Sequence, residues 1–191
     1  MSVSGHEQAK YADIWTLSDY ADHSPGLTLL PMFEEIAKPK KGQTLIDLGC
    51  GQGVAGKMLA AQHGLRVAYL DLVKLVDDEH FLEQPLWKPL PPLNWWGSQY
   101  DYGYCCDVME HIPEAFTMLS VRNMLRACRH VFFSISFLPD HFGKYAGEPL
   151  HLTVKPYTWW RDNLREMGDL IEARDMIGEG VFYVSADQGK L

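Results

Sequence analysis

The sequence predicts an α/β protein built on a doubly wound, mostly parallel sheet of about seven strands, the last one antiparallel. Three observations carry that prediction. First, QTLIDLG (43–49) is an apolar run that ends in glycine, and VAGKMLAAQHG (54–64) follows it with helical length. Second, LRVAYLDL (65–72) is another apolar run directly afterwards. Strand, glycine turn, helix and strand form a βαβ unit, which implies parallel pairing. Third, helical and strand-like segments keep alternating towards the C-terminus.

Each element has a local cause. AKPKKGQ (37–43) is a polar turn, and Leu45, Ile46 and Leu48 then make a buried strand. In the following helix Met58, Leu59 and Ala60 are apolar, and Gly64 stops it. The stretch FLEQPLWKPLPPLNWWGSQ carries Pro85, Pro89, Pro91 and Pro92, which forbid a long helix. A short third strand is expected near His80–Glu83, and YDYGYCCDV (100–108) is the fourth. PEAFTMLSVRNMLRAC is a helix with Pro113 at its start, and HVFFSISFL is the fifth strand. In PYTWWRDNLREMG, Trp160, Leu164 and Met167 share a helical face and Gly168 ends it. DLIEARD and GVFYVSA close the sheet as two strands joined by a glycine-containing turn.

The 191 residues suit one domain (1–191), with 1–36 as an N-terminal helical cap and 40–186 as the core. The N-terminal MSVSGHEQAK has no apolar h-region, and no apolar run approaches a membrane span, so neither a leader nor a membrane association is expected. Cys50, Cys105, Cys106 and Cys128 form no disulfide framework and no CxxC pair, which points to reduced thiols and a cytoplasmic setting. A net charge of −8 argues against a broad nucleic-acid surface.

The chemistry is concentrated in LIDLGCGQGVAG (45–56). Gly49-x-Gly51-x-Gly53 overlaps Gly51-x-Gly53-x-x-Gly56, the spacing of a dinucleotide-binding turn. Asp47 separates the two readings. A pyrophosphate would sit over this turn and be repelled by the carboxylate. S-adenosylmethionine carries an ammonium and a sulfonium and would be attracted. Asp71, at the end of the second strand, can accept hydrogen bonds from ribose hydroxyls of either ligand.

LIDLGCGQG, then VAYLDL, then YDYGYCCDVMEHIP together resemble the class I S-adenosylmethionine-dependent methyltransferases over residues 40–186. That resemblance implies a Rossmann-like sheet of order 3-2-1-4-5-7-6 with strand seven antiparallel. It implies that Asp47, Gly49, Cys50, Gly51 and Gly53 line the methionine end of the cofactor. Asp71 and Leu72 would hold the ribose, and Cys106 and Asp107 would border the sulfonium and the acceptor. The family commonly places an acidic residue after strand three for the adenine amine. Here Gln84, Pro85 and Leu86 stand in that place, so Gln84 and Leu86 are the candidate adenine contacts.

On the acceptor side, His111 in MEHIP and His151 in EPLHLTV are candidate bases or substrate contacts, with His141 nearby. The plain alternatives are a helix-start residue and ordinary loop histidines. Glu110 is expected to be a helix N-terminal charge. Tyr11, Trp15 and Tyr20 could form an aromatic lid or pack on the sheet edge. Trp95 and Trp96 are lid or packing, and at least one of Trp159 and Trp160 is core. No Pro-Cys pair supports a cysteine nucleophile, and no metal-ligand cluster is visible in the sequence.

The expected activity is methyl transfer to an oxygen or nitrogen of a small molecule or glycan. Its specificity would come from the N-terminal segment and the loops 84–99 and 137–156. The alternatives are a nucleic-acid or protein methyltransferase, a nicotinamide-dependent oxidoreductase, and a non-catalytic cofactor-binding protein.

Overall fold

A computed structural model describes residues 2–21, 24–91, 95–187 and 189–190. The part of the proline-rich loop at 92–94, with Pro92, lies outside the described residues, as do 1, 22 and 23 of the expected cap.

The chain opens with α1 (Val3–Ile14), α2 (Ser18–Ala21), α3 (Pro25–Thr28) and α4 (Leu30–Ala37). Then come β1 (Thr44–Leu48), α5 (Val54–His63), β2 (Arg66–Asp71), β3 (Phe81–Glu83) and β4 (Tyr100–Cys106). A 3-10 turn (Met109–His111) leads to α6 (Glu114–Ala127) and β5 (Cys128–Ser136). After α7 (Gly143–Ala146) and α8 (Tyr157–Met167), β6 (Asp169–Met176) and β7 (Glu179–Ser185) end the sheet. The seven strands are ordered β3-β2-β1-β4-β5-β7-β6. Neighbours from β3 to β5 are parallel, and β7 is antiparallel to both β5 and β6.

Strand alternation divides the core into two layers. Leu45, Tyr102, Tyr104, Phe132, Val181 and Tyr183 face α4 and α5, where Phe33 and Leu59 meet them. Ile46, Leu48, Cys105, Phe133, Phe182 and Val184 face α6 and α8, where Met124, Trp160 and Leu164 meet them. Gly64 ends α5 in a left-handed conformation (φ 64°), as its position past the last apolar residue predicts. With both faces covered, the open region is the edge beyond the C-terminal ends of β1, β2 and β4, which is where such sheets bind ligands.

Candidate active site

The glycine loop is folded onto the end of β2. The amides of Gly49 and Cys50 donate to the Leu70 carbonyl (2.8 and 3.0 Å), and the amide of Gly51 donates to Oδ2 of Asp71 (2.8 Å). Oδ1 of Asp71 accepts from the amides of Leu72 (2.7 Å) and Val73 (3.3 Å). Burial raises the pKa of this carboxyl, and the three amides oppose the rise. Asp47 is buried and points the other way, its Oδ2 accepting from the amide of Gly56 (3.0 Å). Burial pushes Asp47 up to about 7 in spite of that bond, and the charge of Asp71 adds to the rise.

Two adjoining clefts lie over this loop. The first is lined by Asp71, Leu72, Gln84, Leu86, Trp87 and His111. The second is lined by Asp47, Cys50, Gly51, Cys106 and Asp107. Trp15, Tyr20 and Gly49 belong to both, so the clefts meet at the start of the glycine loop. All the predicted cofactor positions except Gly53 therefore border one continuous groove. Gly53 caps α5 at φ 70°, and a Cβ there would sit 2.8 Å from Val76 and 3.0 Å from Tyr69. It shapes the turn against the core and does not face the groove. Gln84 lines the first cleft, but its Nε2 donates to the Pro89 carbonyl (3.3 Å).

The N-terminal aromatics form the roof. A Cβ at Gly51, which has φ 51°, would lie 2.6 Å from Cη2 of Trp15, so only glycine lets the indole come this close. Trp15 packs edge-on against Tyr20 (4.9 Å between centroids), and Tyr20 packs edge-on against Phe142 (5.3 Å). Helix α1 is pinned over the end of β3 by Gln8 Nε2 donating to Glu83 (2.8 Å) and by Trp87 Nε1 donating to Ser4 Oγ (3.2 Å). Tyr11 lines the first cleft, and Trp15 and Tyr20 line both. Trp95 and Trp96 instead pack around His80 (5.3 and 5.0 Å) and border neither cleft, while Trp160 is fully buried core.

His111 ends the 3-10 turn and does not start a helix. Its Nδ1 is hydrogen-bonded to the Tyr11 hydroxyl (2.7 Å), and its Nε2 lies 4.0 Å from Oδ2 of Asp107. The His151 ring packs edge-on to His111 at 4.5 Å, with Nδ1 donating to the Leu138 carbonyl (2.6 Å). Burial and the neighbouring His111 hold His151 below the ordinary imidazole range. His141 is exposed. Burial pushes the thiols of Cys50, Cys105 and Cys106 up, which suits small lining and core residues better than nucleophiles.

The expectation for Glu110 is corrected here. Glu110 is not a helix N-terminal charge; it is wholly buried. Its Oε1 accepts from the amide of Ser136 (2.6 Å), and its carbonyl accepts from the amides of Leu152 and Thr153 (2.7 and 2.8 Å). Glu110 thus ties the 3-10 turn to β5 and to the loop that carries His151, which is what sets the two imidazoles side by side. Burial, with the charge of Asp107 alongside, raises the Glu110 pKa well above the carboxylate range. Asp107 is lowered: burial works against ionisation, but the imidazole of His111 alongside outweighs it. The fold also brings together side chains that are apart in the sequence. Asp107, His111 and His151 gather with one ligand atom each, all within 4.8 Å of one another. The spacing of 107 and 111 hints at this, but His151 arrives only through the tertiary fold.

No protein-family model matches the chain, and no curated protein matches it. Solved structures do. The chain is similar to the 1,6-didemethyltoxoflavin-N1-methyltransferase of Burkholderia thailandensis, a structure with bound S-adenosylhomocysteine. The TM-score is 0.70 at 11% identity, over 98% of this chain and 92% of that one. It is similar to the N-methyltransferase NodS of Bradyrhizobium japonicum WM9, also in complex with S-adenosylhomocysteine, with a TM-score of 0.66 at 12% identity over 95% and 98%. A chain of the Haloferax volcanii complex between the Trm112 methyltransferase activator and a methyltransferase gives 0.64 at 14% identity over 96% and 95%. The fold, with its 3-2-1-4-5-7-6 order and antiparallel β7, is that of the class I S-adenosylmethionine-dependent methyltransferases.

Proposed function

We propose that the chain is an S-adenosylmethionine-dependent methyltransferase acting on an oxygen or nitrogen of a small molecule or glycan. The observation that carries this reading is the continuous groove beneath the aromatic roof, acidic at both ends, with Asp71 in one cleft and Asp47 and Asp107 in the other. Asp71 and Leu72 suit the ribose, and Gln84, Leu86 and Trp87 suit the adenine. Asp47 and the glycine loop suit the cationic methionine end. The buried carboxyl beneath the loop weighs against a pyrophosphate there.

In this reading the acceptor stands between Asp107, His111 and His151. Its lone pair attacks the methyl carbon in line with the carbon–sulfur bond, and the bonding pair returns to sulfur as S-adenosylhomocysteine leaves. A proton on the acceptor passes to Nε2 of a histidine, with Asp107 stabilising the imidazolium and Tyr11 fixing the ring of His111. Positioning supplies much of the rate, and the roof formed by Trp15 and Tyr20 excludes water. A small acceptor suits a groove roofed in this way. No helix among the described residues is long and apolar enough to cross a membrane.

Calorimetric titration with S-adenosylmethionine, S-adenosylhomocysteine, NADH and NADPH tests the reading. The two sulfur ligands are expected to bind in the micromolar range, about −8 kcal/mol. Asp71→Ala is expected to weaken both at least tenfold. Binding of a dinucleotide alone would overturn the proposal.

A further inference from the structure

We infer that Asp107, His111 and His151 form a binding site for a divalent transition-metal ion of the zinc, cobalt or iron(II) class, at the acceptor end of the groove. The ligand set is two imidazoles and one carboxylate, a combination that binds such ions while leaving coordination positions open. The three atoms lie within 4.8 Å of one another, so a central ion at about 2.1 Å from each needs an inward shift of under ~1 Å per ligand. The three side chains are partly buried, which limits their loss of entropy and of water on binding.

The orientation of the rings is the second, independent argument. Metal-binding histidines commonly use one nitrogen for the ion and anchor the other on an oxygen. Both rings here are anchored through Nδ1. In His151 the partner is the Leu138 carbonyl at 2.6 Å, which only accepts, so Nδ1 carries the hydrogen and Nε2 keeps its lone pair. In His111 the partner is the Tyr11 hydroxyl at 2.7 Å, which suits either tautomer and leaves Nε2 able to ligate. Behind the cluster, Glu110 holds the two backbone segments together through Ser136, Leu152 and Thr153. The cluster is therefore supported from outside by groups that are not ligands.

Asp107 borders one cleft and His111 the other, so an ion between them would face the place where the acceptor stands in the reading above. Its open positions would take an oxygen or nitrogen of the acceptor and orient it. An ion there uses the lone pairs that the acceptor's proton would otherwise take, so the metal-loaded and metal-free proteins handle that proton differently. The consequence for the acceptor rests on the methyltransferase reading; binding of the ion does not.

The test is equilibrium dialysis of the full chain against Co²⁺ and against Zn²⁺, with the visible spectrum of the cobalt form. One ion per chain is expected, with a cobalt spectrum showing nitrogen and oxygen ligation. His111→Ala, His151→Ala and Asp107→Asn are each expected to weaken binding tenfold or more. Tyr11→Phe, which removes only the anchor of His111, is expected to weaken it less. His6→Ala, at an exposed pair with Glu148, is expected to change nothing. Circular dichroism and thermal melts of the same samples check the fold of each variant. A wild-type melt kept while the metal is lost in the three ligand variants supports the site. Equal metal binding in wild type and ligand variants, or none in wild type, overturns it. Metal binding without any binding of the sulfur ligand would sink the methyltransferase reading alone.

Discussion

In the proposed reading, Asp47 does two jobs with opposite demands. It must be buried to hold the Gly56 amide at the start of α5, and burial pushes its pKa to about 7. A cationic ligand end needs it ionised. Below about 7 the free protein carries the proton and binding must expel it; above about 7 the carboxylate is ready. Affinity for S-adenosylhomocysteine is therefore expected to rise between pH 6 and 8, approaching about tenfold per unit at the acid end, and to be flat in Asp47→Asn. Stability has the reverse sign. The folded state holds this proton more tightly than the unfolded chain does, where the value is near 3.8, so stability falls as pH climbs from there towards 7. Calorimetric titration and thermal melts across that range read the two slopes. A wild-type affinity as flat as that of the variant would mean that Asp47 is purely structural.

Helix α1 and the residues just after it act as one element above the groove. Ser4 and Gln8 fix one end over Trp87 and Glu83, Tyr11 reaches His111, and Trp15 rests on Gly51. In the proposed reading the roof thus touches the adenine, acceptor and methionine ends of the groove in turn. Trp15 borders both clefts, so its indole should report their occupancy. Saturation with S-adenosylhomocysteine is expected to change the tryptophan emission of the wild type, and Trp15→Phe is expected to remove part of that change, Trp87 of the first cleft supplying the rest. Trp15→Ala is expected to weaken binding by about tenfold, the scale of one aromatic contact. An unchanged emission on saturation would place the ligand away from this roof.

At the scale of the whole molecule, what was legible in the sequence was what local pattern controls. QTLIDLG, VAYLDL and YDYGYCCDV declare strands by apolar runs ending at glycine or aspartate, and Gly64 and Gly168 mark helix ends. The groove-lining positions of β1, β2 and β4 follow from their places at strand ends. What stayed hidden depends on contacts between distant residues. Nothing near Glu110 announces that it is buried beneath the loop at 152–153, and Tyr11 meets His111 across 100 positions. The N-terminal helices are the other such case. Phe33 of α4 is fully buried and meets the rings of Tyr102, Tyr104 and Phe132 edge-on at 5.6, 5.3 and 5.6 Å. Those three rings come from β4 and β5, at the centre of the sheet. A segment so rooted cannot leave without opening the core, so α4 and the strands should unfold together. Phe33→Ala is expected to cost about 3–5 kcal/mol, a melting temperature lower by roughly 6–20 °C for a chain of this size. Far- and near-ultraviolet circular dichroism should report one coincident transition in both proteins. A variant that loses helical signal first, with the sheet's aromatic signal melting at the wild-type temperature, would show instead that the N-terminal helices are a detachable cover.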